Sequence, residues 1–597
     1  MSAVSIEKIA VLVAGGGPAG LAAAAELNLH GTGCVVIEPR AEVSRRRPRA
    51  KTSSVRTMEH LRRWGLADAV RAAAPLKVEW SQRVTFCESL TGQRITDFEE
   101  AFGLTTERDE RFAEPGQQVP QPIVEEVLRA HLARQPRVEL RLGHTVTGLA
   151  EDHGGVTVTV RSTTGHTYQV RAGYVLGCDG YAGVTREAIG ASYAGRSDPR
   201  PNFNVVFRAP RLDTPLGPAV QYWTVTAATQ GLTGRLDLDG TWWAIMPGIP
   251  ADYGAAHAAK LITGLVGAPV EHELLASDPW TARVLVADRF ATRRVFLVGE
   301  SAHVNPPFGG HGYNTSIGDA VNIAWKLAFV LHGWARPALL ESYEAERRGV
   351  VEETVASAAA NMRTLPADLT ADAAAIQRAK APEFHNLGLV LGYSYAGSPV
   401  VQPGGGAPVA DVGRYTPSAE PGARLPHCWL PDGLSLYDTL GAGFTLIAPA
   451  GAADAAVLSL PERARALRIP LTVTAAPRDY PWHGDFLLVR PDQHIAWRAE
   501  DPAGIDLAAA VGALPARARG GTFTRIAFRD GPRCGRARSV QRSGCFREAP
   551  HCRRRVRFFM IVELLRAYSA LNFRQEKWSS RSWAGGATVE ADSPGSS

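Results

Sequence analysis

The feature that most constrains this 597-residue chain is a glycine-rich turn between two apolar segments near its start. Residues 8–13 read KIAVLV, a run typical of a buried parallel strand, and GGGPAG follows at 15–20. The turn leads into LAAAAELNLHG, which predicts a helix ended by glycine, and then into the apolar segment CVVIEPR. This order of strand, GxGxxG turn, helix and strand predicts a dinucleotide-binding α/β unit.

Three glycines of this turn have distinct predicted roles. Gly15 allows the tight turn, Gly17 lets the backbone approach a pyrophosphate, and Gly20 lets the helix pack closely on the strand. The helix N-terminus offers free N–H groups to the phosphates. Glu38, about 20 residues further on, is placed to accept a hydrogen bond from a ribose hydroxyl. The motif by itself leaves open whether NAD or FAD is bound.

Two further segments place an acid at the carboxyl end of a predicted strand. In YVLGCDGYAGVTR (174–186) the acid is Asp179, and in RRVFLVGE (293–300) it is Glu300. Open α/β sheets bind their ligands at this end of the strands. The second segment continues into SAHVNPPFGGHGYNTSIGDA (301–320), which has more glycine and proline than a surface turn needs. We interpret this loop as a backbone surface against a flat ligand.

With these three motifs in order, the chain resembles the single-component flavoprotein aromatic hydroxylases of the para-hydroxybenzoate and phenol hydroxylase type. Within that family it looks most like the actinobacterial hydroxylases of aromatic polyketides. The family carries GxGxxG, then a DG motif, then a GD motif followed by P-x-GG-x-G-x-N, and YEAERR (343–348) also matches. The resemblance covers about residues 1–365 strongly and 400–515 more weakly, and it implies FAD as the cofactor.

The resemblance also implies roles for individual residues. Glu38 would bind the adenosine ribose, Arg49 the FAD phosphates or the flavin edge, and Gln121 the linker of FAD. Asp179 would serve both FAD and NAD(P)H, and Glu300 stands where the family usually has aspartate. The phenol hydroxylases have an acid near the position at which this chain has Lys51, so no residue is identified as a base on the phenol.

The glycine-rich third loop is predicted to carry the flavin. Its assigned catalytic residues are Pro306, beside the reactive edge of the ring, Gly309, which leaves room for the ring, and His311, which faces the substrate side. A helix is expected to begin near Asn314 and to stabilise the reduced flavin by roughly 1–2 kcal/mol. The cofactor-binding residues assigned here are Gly310, Gly312, Tyr313 and Asn314. His303 is expected to pack or hydrogen-bond locally.

The predicted fold class is α/β: a Rossmann-like FAD-binding domain, an inserted β-sheet substrate domain and a C-terminal thioredoxin-like domain. The predicted segments are a first FAD-binding part (1–185), the substrate sheet (186–285), a second FAD-binding part with a long helix (286–365), a helix and linker (366–410), the thioredoxin-like domain (411–515) and a divergent, disordered tail (516–597). The substrate residues proposed are Tyr222, Trp223 and Trp243. The alternative is that these aromatic residues form sheet core, where Trp and Tyr are common.

Composition excludes several other functions. The net charge of +6 is modest, and much of it falls in an Arg-rich run at 531–559, so nucleic acid is not an expected partner. None of the seven cysteines forms a CxxC pair, which argues against a metal site or dithiol chemistry. No stretch of about 18 apolar residues is free of charge, so we expect a cytoplasmic protein without membrane contact, as a monomer or homodimer.

These observations predict an FAD-dependent monooxygenase that hydroxylates a phenolic or polycyclic aromatic substrate with NADPH or NADH as a transient co-substrate and O2, through a C4a-hydroperoxyflavin. Three alternatives stay open. The same fold performs Baeyer–Villiger oxygen insertion, or it acts as a flavin reductase or dehydrogenase without oxygen transfer. The third alternative is a flavoprotein without catalytic activity.

Overall fold

The computed structural model describes residues 6–403, 411–449, 452 and 454–512, and for residues 454–458 it describes the backbone alone. The predicted tail (516–597) and the last part of the predicted linker therefore lie outside the described residues. None of the helices in the described ranges has the length and apolar character that crossing a bilayer requires.

The chain contains both helices and strands, as the α/β prediction requires. The strands are β1 (Glu7–Ala14), β2 (Cys34–Glu38), β3 (Thr52–Ser53), β4 (Val84–Cys87), β5 (Arg94–Phe98), β6 (Gln117–Gln118), β7 (Val138–Leu142), β8 (His144–Asp152), β9 (Gly155–Ser162), β10 (Thr167–Gly177), β11 (Tyr193–Arg208), β12 (Gln221–Thr224), β13 (Gly231–Arg235), β14 (Thr241–Pro247), β15 (Glu273–Ala287), β16 (Val295–Leu297), β17 (His303–Val304), β18 (Phe444–Ala448), β19 (Leu471–Ala475), β20 (Phe486–Val489) and β21 (Ile495–Ala499). The α-helices are α1 (Pro18–Leu29), α2 (Val55–Arg63), α3 (Ala67–Ala73), α4 (Gln121–Leu132), α5 (Thr185–Ala188), α6 (Ala251–Val266), α7 (His311–Leu331), α8 (Ser342–Asn361), α9 (Ala373–Phe384), α10 (Leu387–Leu391), α11 (Asp454–Ala466) and α12 (Leu507–Ala510).

The first sheet has the strand order β7-β2-β1-β10-β9-β8, with β16 beside β10. The pairs β7–β2, β2–β1, β1–β10 and β10–β16 are parallel. The pairs β8–β9 and β9–β10 are antiparallel and form a meander. The end of β1 is a fully buried apolar run, as expected for a parallel strand covered on both faces. Helices α1 and α7 pack together in the same core. This is the predicted Rossmann-like domain.

The second sheet has the order β17-β15-β11-β14-β13-β12-β4-β5. Helix α6 covers one of its faces, and Gly254 allows a close approach because a Cβ there would lie 2.5 Å from the ring of Phe203. The boundaries of this domain differ from the prediction. Strands β4 and β5 come from the segment assigned entirely to FAD binding (1–185), and β17 comes from the third segment. The short strands β4 and β5 carry no local signal that tells which of two sheets they will join.

The C-terminal unit contains the sheet β19-β18-β20-β21. Helix α11 connects β18 to the parallel strand β19, and β20 and β21 form an antiparallel hairpin. This arrangement is that of a thioredoxin-like domain. Its core continues into Trp325 and Phe329 of α7. A buried ion pair also joins it to the first domain, since both Nη atoms of Arg490 donate to the carboxylate of Glu346, at 2.7 and 2.8 Å.

Candidate active site

The three sequence motifs follow three neighbouring parallel strands. Strand β10 lies between β1 and β16, so the loops after all three emerge at one edge of the sheet. The loops also touch one another. Gly15 has a φ of 105°, and a Cβ there would lie 2.2 Å from the carbonyl oxygen of Cys178 in the second loop. Ser301 of the third loop donates from Oγ to the carbonyl oxygen of Gly177. A single rim is therefore built from three distant parts of the sequence.

A cavity of about 810 Å³ opens at this rim, a size within the usual range for cofactor and ligand sites. Most of the predicted site residues line it: Gly15, Gly17, Glu38, Arg49, Gln121, Asp179, Trp243, Glu300, Pro306, Gly309, Gly310, His311, Gly312 and Tyr313. Four do not, namely Gly20, Asn314, Tyr222 and Trp223. The first of these has a packing role, since a Cβ on Gly20 would lie 1.9 Å from the carbonyl oxygen of Gly15.

The part of the cavity next to the N-terminus of α1 is polar. A Cβ on Gly17, the residue before α1, would meet no atom within 4 Å, so the backbone at the helix N-terminus faces open space. The carboxylate of Glu38 accepts from the N–H of Gly16 at 2.7 Å and from Nε of Arg40 at 2.6 Å. Gln121 donates from Nε2 to Glu125 at 2.8 Å. The donor-rich turn and the oriented carboxylate suit the pyrophosphate and ribose of a dinucleotide.

Arg49 borders the cavity with a backbone φ of 50°, which lies in the left-handed region that a residue with a side chain rarely adopts. Such strained residues persist only where the surrounding structure imposes them, and they cluster at functional sites. The adjacent backbone is held by Gln121, whose N–H donates to the carbonyl oxygen of Ala50 at 2.9 Å. The side chain of Arg49 is therefore presented to the cavity by a constrained loop.

The two motif acids have different surroundings. Asp179 accepts from the N–H of Thr185 at 2.9 Å and from its hydroxyl, and burial raises the pKa of the Asp179 carboxyl. Glu300 is exposed at the rim of the cavity. Its Oε2 reaches within 4.0 Å of the position that a Cβ on Gly180 would take. The longer glutamate side chain thus extends toward the second loop, above the sheet edge.

The helix after the third loop begins at His311, three residues before the predicted start near Asn314. The loop supplies no capping side chain at this helix start, so the sequence lacked the usual signal. Asn314 lies inside the first turn and does not face the cavity. Its Oδ1 accepts from the N–H of Ser54 and the hydroxyl of Thr57, and its Nδ2 donates to the carbonyl oxygen of Gly310. Asn314 therefore ties the glycine loop to the segment around β3.

His311 borders the cavity and is buried, and its Nε2 has no hydrogen-bond partner among the described residues. Burial lowers the pKa of His311 to about 4, so the imidazole is neutral at pH 7. A Cβ on Gly309 would lie 2.4 Å from this nitrogen, which explains the glycine beside it. His303 behaves as expected for local bonding, with Nε2 2.7 Å from Oδ2 of Asp319.

The second sheet forms the apolar wall of the cavity. Trp243 of β14 lines this wall with Val206 and Ile245. Tyr222 instead lies in the core beneath α6 and donates to the carbonyl oxygen of Gly217 at 2.6 Å. Trp223 stacks on the ring of Phe86, at a centroid distance of 5.1 Å. Successive side chains of β12 point to opposite faces of the sheet, and neither reaches the cavity.

Sequence reasoning missed Glu383 of α9, which closes part of the cavity. Its carboxylate accepts from Nζ of Lys380 at 2.7 Å, and burial raises the pKa of the Glu383 carboxyl. The sequence does indicate this ion pair, because a lysine and a glutamate three residues apart in a helix lie on the same face. The sequence predicts a helix and linker in this segment, and no site residue.

Comparisons with known proteins show the family to which the chain belongs. The family model described as FAD binding domain matches residues 8–358, and the model described as aromatic-ring hydroxylase, C-terminal, matches residues 418–518. The chain is 31% identical over 524 residues to aklavinone 12-hydroxylase of Streptomyces purpurascens, which covers 83% of this chain and 96% of the relative. It is 30% identical over 573 residues to 2,4-dichlorophenol 6-monooxygenase of Delftia acidovorans, covering 84% and 97%.

Among solved structures, a ternary complex of aklavinone-11 hydroxylase with FAD and aklavinone matches with a TM-score of 0.74. The two chains are 28% identical, and the match covers 85% of this chain and 98% of the other. The fold, the three loops and the cavity define a flavoprotein monooxygenase. The chain belongs to the family of FAD-dependent aromatic-ring hydroxylases.

Proposed function

We propose that this protein hydroxylates a phenolic, polycyclic aromatic substrate in the cavity between the two sheets, using NADH or NADPH and O2. One observation carries the proposal: a single cavity extends from the three motif loops to the apolar wall at Trp243. The polar end suits a dinucleotide, and the apolar end suits a flat aromatic ring. Relatives named as hydroxylases of aklavinone and of 2,4-dichlorophenol support a phenolic substrate.

The residues present fit FAD. Gly15 and Gly17, with the N-terminus of α1, would hold the pyrophosphate, and Glu38 would accept from the adenosine ribose. Arg49, Gln121 and Asp179 would contact the remainder of the cofactor between the two ends. The loop residues Gly309, Gly310, Gly312 and Tyr313, with Pro306, would border the ring system. Bound FAD would supply the redox chemistry, by accepting a hydride from the nicotinamide and activating O2.

The chain's own contribution is to orient the substrate, exclude water and stabilise charge. Apolar side chains of Val206 and Ile245, with the ring of Trp243, remove water from one end of the cavity. His311 is neutral at pH 7, so it is suited to hydrogen bonding through Nε2 and not to supplying a positive charge. The positive end of the α7 dipole, at the glycine loop, favours negative charge on a ring bound beside it.

The first test is to purify the protein, record its visible spectrum and load it with FAD if it is empty. NADH or NADPH is then supplied with polycyclic phenols under labelled 18O2, and the products are analysed by mass spectrometry. A phenol carrying one labelled oxygen on the ring is the expected product. A lactone would indicate Baeyer–Villiger insertion, and cofactor oxidation without incorporated oxygen would indicate a reductase. Protein that cannot be loaded with FAD would contradict the proposal. Sedimentation of the same sample tests the predicted monomer or homodimer.

A further inference from the structure

Lys51 occupies an unusual position in the cavity. It directly precedes β3, and the N–H of Val119 donates to its carbonyl oxygen at 2.8 Å, so its backbone is fixed. The side chain borders the cavity, and Nζ lies 4.0 Å from the centroid of the Trp243 ring. Thr52, the next residue, lies beside the glycine loop, since a Cβ on Gly310 would be 3.1 Å from its Oγ1. The ammonium therefore sits between the glycine loop and the apolar wall.

Lys51 has no carboxylate partner and no hydrogen-bond acceptor for Nζ among the described residues. Two lysines in the described part of the chain, Lys326 and Lys380, are fully buried, and both are paired. Nζ of Lys326 lies 2.6 Å from Glu346, and Nζ of Lys380 lies 2.7 Å from Glu383. These two buried ammonium groups therefore have carboxylate partners, whereas the ammonium group of Lys51 faces the cavity.

The acidic residues that line the cavity do not compensate Lys51. Most of them are engaged elsewhere: Glu38 and Glu125 with Arg40, Asp179 with Thr185, Asp278 with Arg47, and Glu383 with Lys380. Glu300 lies exposed at the rim. Contact with the ring of Trp243 offsets only part of the loss of hydration. Desolvation accordingly lowers the pKa of Lys51 to about 8. An anionic oxygen bound in the cavity would supply the missing partner.

We propose that Lys51 binds an anionic oxygen of the aromatic substrate, so that the enzyme selects rings carrying a phenolate or a carboxylate. The ammonium would donate to this oxygen while the ring lies along Trp243. A charge-assisted hydrogen bond of this kind both orients the ring and discriminates against neutral analogues, whose binding would leave the ammonium without a partner. This inference rests on the proposed function, because it takes the apolar end of the cavity to be the substrate site.

The test measures ligand binding to the FAD-loaded protein without turnover, by titration while the flavin spectrum is followed. Two matched pairs separate the two sources of charge. The carboxylate pair is 2-naphthoate and methyl 2-naphthoate, and the phenolate pair is 4-nitro-1-naphthol and its methyl ether. The titrations are made near neutral pH, where the nitronaphthol is ionised and Lys51 is protonated. In the unmodified protein, at least one anion is expected to bind about tenfold more tightly than its neutral partner. Equal dissociation constants within both pairs would overturn the proposal.

Three variants test whether Lys51 causes the preference for anionic ligands. Lys51→Met is expected to abolish the anion preference while the neutral ligands still bind, and Lys51→Arg is expected to retain most of it. Lys260→Met removes an exposed lysine from α6 and should leave the preference unchanged. A preference that survives in Lys51→Met, or a loss of both ligands together in a variant that still holds FAD, would contradict the proposal. Failure of the proposed function would appear separately, as failure to bind FAD or to incorporate oxygen.

Discussion

Arg347 of α8 donates from Nε to Oδ1 of Asp319 in α7 over 2.7 Å, and both side chains are buried. The other carboxylate oxygen of Asp319 lies 2.7 Å from Nε2 of His303, and the N–H of Gly299 donates to it at 3.3 Å. The arginine belongs to the YEAERR segment that the sequence matched to the family without assigning it a role. Arg347 thus supports the third motif loop indirectly, through Asp319, which bonds to Gly299 and His303.

Replacing Arg347 with leucine should lower the free energy of unfolding by about 3–5 kcal/mol, because it leaves the buried carboxylate of Asp319 without its main partner. The thermal midpoint should fall, and FAD should dissociate more readily from the loosened loop. The neighbouring substitution Arg348→Ala removes a partly exposed pair with Glu344 and should cost about 1 kcal/mol or less. Equal effects of the two substitutions would show that the buried pair has no special role.

Substitutions of two glycines in the first motif should have different effects on stability and on FAD affinity. Gly15→Ala places a Cβ 2.2 Å from the carbonyl oxygen of Cys178 at a φ of 105°, so it should lower both the thermal midpoint and FAD affinity. Gly17→Ala places its Cβ in open space within the cavity. The flavin-free protein should therefore melt normally, while FAD affinity falls by about tenfold or more, equivalent to roughly 1.4 kcal/mol. Unchanged flavin affinity in Gly17→Ala would argue against pyrophosphate at this turn.

Glu26 should make stability depend on pH. Its buried carboxylate is bonded to His30, Arg63 and the indole N–H of Trp64. Burial alone would raise the pKa of this carboxyl, but the charges and hydrogen bonds of Arg63 and His30 lower it from 4.5 to about 2. A carboxyl whose pKa is lower in the folded state contributes stability above the unfolded value and loses it as pH falls. The contribution, about 3 kcal/mol, should be complete above pH 4.5 and should disappear toward pH 2.

The measurement for Glu26 is the difference in unfolding free energy between the unmodified protein and Glu26→Gln at a series of pH values. The difference should be constant near neutrality and should shrink as the solution becomes more acidic than pH 4.5. A difference that does not change with pH would mean that the charge of Glu26 contributes nothing to stability.

Binding of 2-naphthoate should weaken as pH rises through about 8, because burial lowers the pKa of Lys51 to about that value and only the protonated amine is positively charged. Above this pH the affinity should fall by up to about tenfold per pH unit. His311 also borders the cavity, but its pKa of about 4 keeps it neutral throughout this range. Methyl 2-naphthoate serves as the control, and a parallel loss of its binding would point to a general structural change.

The positions of the three motif loops could be predicted from the sequence because each depends on local properties. An apolar run predicts a buried strand, and a glycine such as Gly15 is required where the backbone adopts a positive φ. The sequence predicts a start near Asn314 for a helix that begins at His311, because the loop has no capping side chain. The predicted boundaries of the substrate sheet missed β4 and β5, because β4 joins this sheet by pairing with β12, more than 100 residues further along the chain, and β5 pairs only with β4.

The sequence by itself determined the order of the motifs, the α/β class and most of the motif residues that line the cavity, since turn geometry and strand patterning are encoded in neighbouring residues. Only the tertiary structure decided which side chains share the cavity. It placed Trp243 at the cavity and Tyr222 and Trp223 away from it, and it brought Glu383 to the cavity from a segment expected to be a helix and linker. It also left Lys51, beside Trp243, without a carboxylate partner among the described residues. These outcomes depend on contacts between segments far apart in the chain. Strand periodicity tells which side chains share a face, but not which face another part of the chain will cover.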